Sequence, residues 1–222
     1  MCEFCVQHGE GKKWYEVMEN YSAELYSQGG REQYIKDFFD NFQLHGPRGL
    51  DRLDSTRRKV PFAYSFIRRL GTLHMKKNHF GQVVPLEDAE GIVDMVQSIT
   101  RIPCVCRSAT LGKKDERYCL LLGIDPSRIL GDYPDLVSTL ETFSPAESKH
   151  LLREFDKKGL VHSVWTFKTP FIGAICNCDR DCIGAIEYSA VNQKCYINSL
   201  KCYGCGVCRS QCKKGAIYLL DK

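Results

Sequence analysis

Four cysteines near the end of the chain have a spacing that restricts both the local fold and the chemistry. They follow the pattern C-x2-C-x2-C-x3-C and are Cys202, Cys205, Cys208 and Cys212. The first three thiolates of such a run can hold three corners of an iron–sulfur cube, and in two-cluster proteins the fourth ligates the other cube. Zinc sites more often pair two C-x2-4-C units at longer range. The spacing therefore predicts a [4Fe-4S] cluster, with zinc as the main alternative.

The chain contains 13 cysteines among 222 residues, and they occur in groups. Grouping favours metal ligation over single buried thiols, and disulfides are not expected in a reducing compartment. The groups are Cys2 with Cys5; Cys104, Cys106 and Cys119; Cys176, Cys178 and Cys182; Cys195; and the C-terminal four. The chain starts without a signal-peptide pattern and has no apolar run of bilayer length, so we expect a cytoplasmic protein. An oxygen-labile cofactor would suit an anaerobic organism.

An incomplete copy of the C-terminal motif lies earlier in the chain. Cys178 and Cys182 form a C-x3-C pair followed closely by Gly-Ala-Ile, as the last two cysteines of the motif do, and the copies are 30 positions apart, from 182 to 212. A complete copy would need cysteine where the chain has Ile172 and Ile175. The repeat predicts a pseudo-twofold, two-cluster fold over residues 165–222.

The motif and its repeat resemble the two halves of a bacterial ferredoxin, with Lys213 where that family usually has proline. The wider order adds Pro-Cys-x-Cys-Arg at 103–107 and Ile-Cys-Asn-Cys at 175–178. Over residues 85–222 this order is similar to 4Fe-4S ferredoxin-type proteins of anaerobes. The resemblance is specific for cluster binding and does not name a substrate.

The resemblance implies an α+β fold with two domains. Residues 165–222 would form a ferredoxin-like iron–sulfur domain with βαββαβ order. Residues 1–164 would form a mostly helical α+β domain that carries additional cysteine ligands. Within it, a capping box at Ser144–Glu147 predicts a helix that ends at Gly159 before a strand, which is the local pattern of a winged helix.

Two [4Fe-4S] clusters are expected from the exchange of ligands between the two copies of the motif. One cube would take Cys182 together with the first three cysteines of the C-terminal motif. The other would take Cys212 and Cys178, with Cys176 as a candidate for a further ligand.

The middle cysteines are candidates for the remaining ligands. Cys104 and Cys106 are expected in a strand or loop, where an extended segment would place both on one side. Cys119 heads an apolar run and could join them. The number of cysteines also permits a third cluster, in which Cys2 and Cys5 pair with two of the middle group.

The spacing of apolar residues predicts further helices. They cover 14–28 and 31–42, separated by Gly29-Gly30; 60–70; and 85–99, with Ile92, Val93 and Val96 as its buried stripe. The basic stretch 48–69 could dock an acidic redox partner. The net charge of +4 is mild and gives no strong phosphate-binding footprint, so nucleic acid is not the expected partner.

These expectations favour an electron carrier over an enzyme. The clusters would pass single electrons to or from a partner redox enzyme. Lys201, Lys213 and Lys214 flank the C-terminal motif and would raise its potential slightly or dock an acidic partner.

Two other functions stay open. The first is a reductase whose active site is an incompletely ligated cluster, with Arg107, His162 or Arg180 handling anions or protons. The second is a redox-sensing winged-helix regulator.

Overall fold

The computed structural model describes residues 14–41, 55, 59–113, 115–131, 137–178, 186–189 and 194–197. Two 3-10 turns, Trp14–Glu16 and Met18–Tyr21, come first. The helices are α1 (Ala23–Ser27), α2 (31–41), α3 (Pro61–Asn78), α4 (Leu86–Met95), α5 (Val105–Leu111), α6 (Pro126–Ile129) and α7 (Pro145–Lys157). The strands are β1 (Gly81–Val83), β2 (Ile99–Ile102), β3 (Cys119–Leu122), β4 (Glu141–Phe143), β5 (Val161–Thr166), β6 (Ile172–Cys178), β7 (Ile186–Ser189) and β8 (Lys194–Ile197).

Within the described residues, β1 to β6 form one six-stranded antiparallel sheet in the order β1-β5-β6-β3-β2-β4, and β7 pairs with β8 in a second sheet. The hairpin of β5 and β6 lies inside the larger sheet, with β1 on one side and β3 on the other. Helices mixed with antiparallel strands confirm the α+β class.

Side chains cover both faces of the larger sheet. On one face, Ile92 and Val93 of α4 and Leu152 of α7 join Leu120 and Val164 in a buried cluster. The stripe predicted for α4, including Val96, is buried. Because β3 is covered on both faces, its four residues are all buried, and its sequence is apolar at every position rather than alternating.

The opposite face packs against the N-terminal helices. Ile35 and Phe39 of α2 join Leu121 and Phe171 in a second buried cluster. The side chains of Cys104 and Cys119 belong to the same cluster, and Cys176 packs against it. The cysteines described below therefore lie on the face that α1 and α2 cover.

The break between the first helices is confirmed. Gly29 and Gly30 have φ values of +64° and +63°, in the left-handed region that favours glycine. The single helix predicted for 14–28 is wrong, because this segment forms two 3-10 turns followed by α1. Ser22 begins α1 by accepting a hydrogen bond from the backbone N–H of Leu25.

Two other helices have different ends from those predicted. α4 ends at Met95 instead of near residue 99, because Ile99 belongs to β2, where it pairs with Leu122 of β3. α3 continues to Asn78 instead of ending near residue 70. Among the residues that the structure describes, no helix is both long and apolar enough to cross a membrane.

The capping box of α7 is confirmed, since the side chains of Ser144 and Glu147 each accept a hydrogen bond from the other residue's backbone N–H. Gly159 follows the helix with a φ of +76°. The next strand, β5, is an interior strand between β1 and β6. The boundary predicted between residues 164 and 165 falls within β5. Residues 172–178, which the repeat aligned with the cluster motif, form β6 of the same sheet.

Candidate metal centre

Five of the cysteines that the structure describes come together at one end of the larger sheet. Cys104 immediately precedes α5, and Cys106 lies in its first turn. Cys119 is the first residue of β3, while Cys176 and Cys178 lie at the end of β6. The antiparallel register places Cys119 directly opposite Cys176. Residues that are 72 positions apart in the chain, 104 and 176, thus contribute to one cluster of thiols.

The thiols of Cys104 and Cys119 are in direct contact, with 3.5 Å between the two sulfur atoms. Cys119 also interacts with the thiol of Cys176 on the neighbouring strand. Cys104 and Cys119 are buried, Cys176 is half-buried, and Cys106 and Cys178 are exposed. The cluster therefore extends from the core to the surface, and one side of it is open to solvent.

Mutual contact and burial raise the pKa of the two most buried thiols, Cys104 and Cys119. The hydrogen bond with Cys119, followed by burial, raises the pKa of Cys104. The same bond lowers the pKa of Cys119, but the contact with Cys176 and burial outweigh it and raise that pKa well above the usual value. A bound cation reverses this effect, since a coordinating thiol loses its proton to the metal.

The pKa values of the two flanking thiols are raised as well. Partial burial, followed by the charge of Cys104, raises the pKa of Cys106, although part of this residue is exposed. The hydrogen bond with Cys119 lowers the pKa of Cys176, but burial and the charges of Cys178, Cys106 and Cys104 outweigh it, so the pKa is raised. The thiols are therefore electrostatically coupled, and one positive ion could relieve the repulsion among their thiolates.

Two neighbouring groups oppose this repulsion. The backbone N–H of Tyr118 donates a hydrogen bond to the sulfur of Cys104 at 3.0 Å. Arg107 is only 8% exposed, and its charge lowers the pKa of both Cys104 and Cys106. N–H···S bonds and a nearby cation are the kind of surroundings that stabilise and tune metal thiolates.

Arg107 is held in place by three kinds of contact. It forms an ion pair with Glu116. Its Nη2 donates to the backbone carbonyl of Asn177 at 3.4 Å, and its guanidinium carbon lies 4.6 Å from the centre of the Tyr118 ring. Because these contacts join the β3 and β6 segments, Arg107 also fixes the two strands near the thiols.

Asn177 supports the site from the opposite face of β6. It is 1% exposed and lies between the two cysteines of the strand, so alternation points it away from them. Its Nδ2 donates to the carbonyl of Tyr118 at 2.7 Å, and its Oδ1 accepts from Nδ1 of His162 at 2.6 Å. The role of Asn177 was not predicted. The sequence signal for it is the position of a polar residue between two cysteines of a strand, where alternation directs it to the opposite face.

His162 does not face the thiols. Its register partner is Asn177, whereas the next residue, Ser163, is opposite Cys176. Burial lowers the pKa of His162, and its Nε2 has no hydrogen-bond partner among the described residues. The role predicted for it, proton transfer at a cluster, does not fit this position because the backbone of the sheet separates the imidazole from the sulfur atoms.

The geometry predicted for the Cys-x-Cys pair is wrong. Cys104 and Cys106 do not share one side of an extended segment, because α5 begins at Val105. Cys104 is the residue before the helix and Cys106 lies in its first turn, so the two side chains do not follow the alternation of a strand. Cys104 is consequently buried, and Cys106 is exposed.

Several predicted site residues lie outside the described residues. They are Cys2, Cys5, Arg180, Cys182, Lys201, Cys202, Cys205, Cys208, Cys212, Lys213 and Lys214. The backbone of Cys195 lies in β8, where it pairs with Tyr188.

Cys104, Cys106, Cys119, Cys176 and Cys178 are called the sheet cysteines below. Their sulfur donors fit a soft metal, because thiolates select zinc, copper(I) and iron–sulfur centres. Among the described residues, no three Cys, His, Asp or Glu side chains already form a complete metal-binding set. Comparisons with protein-family models, with curated proteins and with solved structures found no match for this chain.

Proposed function

We propose that this protein is a cytoplasmic iron–sulfur electron carrier. The proposal combines the C-terminal cysteine motif with a second, thiolate-lined metal centre at the end of the sheet. The C-x2-C-x2-C-x3-C motif of Cys202, Cys205, Cys208 and Cys212 is the observation that carries it. The convergence of Cys104, Cys106, Cys119, Cys176 and Cys178 supports it, because it adds a second group of thiols that can bind metal. Cysteines from distant segments that face one another without disulfides are typical of metal ligands in a reducing compartment.

The chain would hold a [4Fe-4S] cluster through Cys202, Cys205 and Cys208, with Cys182 or Cys212 as the fourth ligand. The cluster, when bound, supplies one-electron oxidation and reduction. The protein's own contribution is to bind the iron through thiolates and to set the potential through nearby hydrogen bonds, charge and burial.

Iron and acid-labile sulfide content of anaerobically purified protein tests this function. We expect equal amounts of iron and sulfide, about four of each per cube. The EPR signal of the reduced protein should disappear when an oxidised acceptor protein is added. Cys205→Ala should lose iron, whereas Cys195→Ala, at the cysteine left out of the ligand sets, should keep it. Protein that binds no iron under these conditions would exclude electron transfer by iron–sulfur clusters.

One observation favours a second candidate, a reductase with an open iron. The sheet cysteines have an exposed side at Cys106 and Cys178, through which a small substrate could reach an iron. EPR spectra recorded with and without cyanide or nitrite distinguish the candidates. A signal that no small ligand changes would leave only the electron carrier.

The regulator receives little support from the region proposed for it. Lys149 and Arg153 of α7 form ion pairs with Asp94 and Glu90 of α4, with 2.6 Å between the charged atoms in each case. These basic groups are therefore partly neutralised within the protein. A gel-shift assay on DNA with oxidised and reduced protein should show no salt-sensitive binding.

A further inference from the structure

We propose that the sheet cysteines bind a single, tetrahedrally coordinated divalent ion of the zinc type. The ligands would be Cys104, Cys106, Cys119 and Cys176. This inference goes beyond electron transfer, because such an ion has no redox chemistry and stabilises the fold instead. It shares with the proposed function only the premise that these cysteines bind metal.

The spacing of the two buried sulfur atoms matches one ion. Two thiolates bonded at about 2.3 Å to the same tetrahedral zinc lie about 3.8 Å apart. The sulfur atoms of Cys104 and Cys119 are 3.5 Å apart. Thiolates on different irons of a cube are separated much more widely, because two irons and a bridging sulfide lie between them. The observed pair is thus already near the spacing for one ion and far from that for a cube.

The third thiol extends the same pattern. Cys119 contacts Cys104 and also interacts with Cys176. In a [2Fe-2S] centre with four cysteines, each iron holds two of them, so a thiolate has only one close thiolate neighbour. A thiolate bound to a single ion has the other ligands as close neighbours, and Cys119 has two such neighbours.

Two exposed cysteines could provide the fourth ligand, and Cys106 fits better than Cys178. Cys106 lies in the first turn of α5, two residues after Cys104, and its charge raises the pKa of both Cys119 and Cys176. Cys178 follows Cys176 by two residues on the same face of β6, where the next side chain on that face is displaced along the strand. Metal binding would have to draw the thiols together, since no three Cys, His, Asp or Glu side chains of the described residues already form a metal-binding group.

The surroundings provide what such a site requires. Four thiolates around a divalent ion leave an excess of negative charge, and the buried Arg107 lies beside Cys104 and Cys106. The N–H of Tyr118 donates directly to the sulfur of Cys104 at 3.0 Å. The ion would join the start of α5 to β3 and β6, which Arg107 also links through Asn177 and Tyr118.

Metal analysis of the full-length protein and three variants tests the inference. We expect one zinc per chain in the wild type, in addition to iron. Cys119→Ser and Cys176→Ser should lose zinc and keep their iron, whereas the matched control Cys195→Ser, at the cysteine left out of the ligand sets, should keep both. Zinc-edge X-ray absorption on the wild type, which does not depend on any variant folding, should show four sulfurs at about 2.3 Å. Cys106→Ala should reduce this number to three.

The outcomes separate this inference from the proposed function. Loss of iron, with or without sulfide, in Cys119→Ser would overturn the single zinc ion while leaving an iron–sulfur protein. Absence of zinc from the wild type, with iron present, would do the same. One zinc per chain with no iron would support the inference and overturn the proposed electron carrier.

Discussion

Replacing Asn177 with alanine tests whether the face of β6 opposite the thiols stabilises the site. Asn177 is 1% exposed, and its side chain makes hydrogen bonds at 2.6 Å with His162 and at 2.7 Å with Tyr118. The carbonyl of Tyr118 also accepts from the backbone N–H of residue 177 at 3.0 Å, so this acceptor stays satisfied in the variant. The imidazole of His162, in contrast, loses the acceptor of its Nδ1–H in the variant. Its other nitrogen, Nε2, already lacks a hydrogen-bond partner among the described residues.

The expected loss follows from these contacts. Leaving the buried Nδ1–H of His162 unpaired costs about 1–3 kcal/mol, and the lost bond to Tyr118 costs about 1 kcal/mol more. The sum is a decrease of about 3 kcal/mol in the free energy of unfolding. For a chain of this size, that decrease lowers the melting temperature by about 6–12 °C.

Urea unfolding followed by far-UV circular dichroism measures this loss. Asn41→Ala is the matched control, since its side chain donates to the carbonyl of Asp37 at 2.7 Å on an exposed helix face. We expect the control to change stability by less than about 0.5 kcal/mol.

A double-mutant cycle identifies the cause. In a His162→Leu background, Asn177→Ala should cost much less, because no imidazole N–H is left unpaired. Equal costs in the two backgrounds, or a cost no larger than that of Asn41→Ala, would refute the reasoning.

Three further predictions concern the fold. Burial lowers the pKa of His79 from 6.5 to about 4. As the pH falls, the unfolded chain therefore takes up a proton before the folded protein does. The free energy of unfolding is unaffected by His79 above pH 6.5, and up to about 3 kcal/mol of it is lost as the pH falls towards 4. His79→Gln should flatten the measured dependence of unfolding on pH between these values, and an unchanged slope would contradict the assignment. Gly91→Ala in α4 should stabilise the protein by about 0.5–1 kcal/mol, since nothing lies within 4 Å of the added Cβ. Gly173→Ala should instead destabilise it by about 1–3 kcal/mol, because the Cβ would lie 2.7 Å from the side chains around it; equal melting temperatures for the two variants would argue against this packing. Ser144→Ala removes the capping box of α7 and should cost about 1 kcal/mol in thermal unfolding, and no change would show that the cap is dispensable.

The local elements were largely readable from sequence because their causes are local. Gly29-Gly30 separates two helices through the backbone freedom of glycine, and Ser144 and Glu147 begin α7 through bonds between neighbours. The α+β class follows from the same kind of signal. At the end of α4 a distant partner overrode the local signal: the helix stops before Ile99 because that residue pairs with β3.

For the cysteine site, the sequence predicted the candidate ligands, whereas only the structure showed which of them are in contact. The grouping of thiols indicated metal ligation and named Cys104, Cys119 and Cys176 as candidates, but spacing alone left their partners open. Only the strand register brings Cys119 opposite Cys176, and only the start of α5 buries Cys104 while exposing Cys106. Such contacts depend on the pairing of strands far apart in the chain, and a shift of one residue in that pairing would turn every side chain of the strand to the other face.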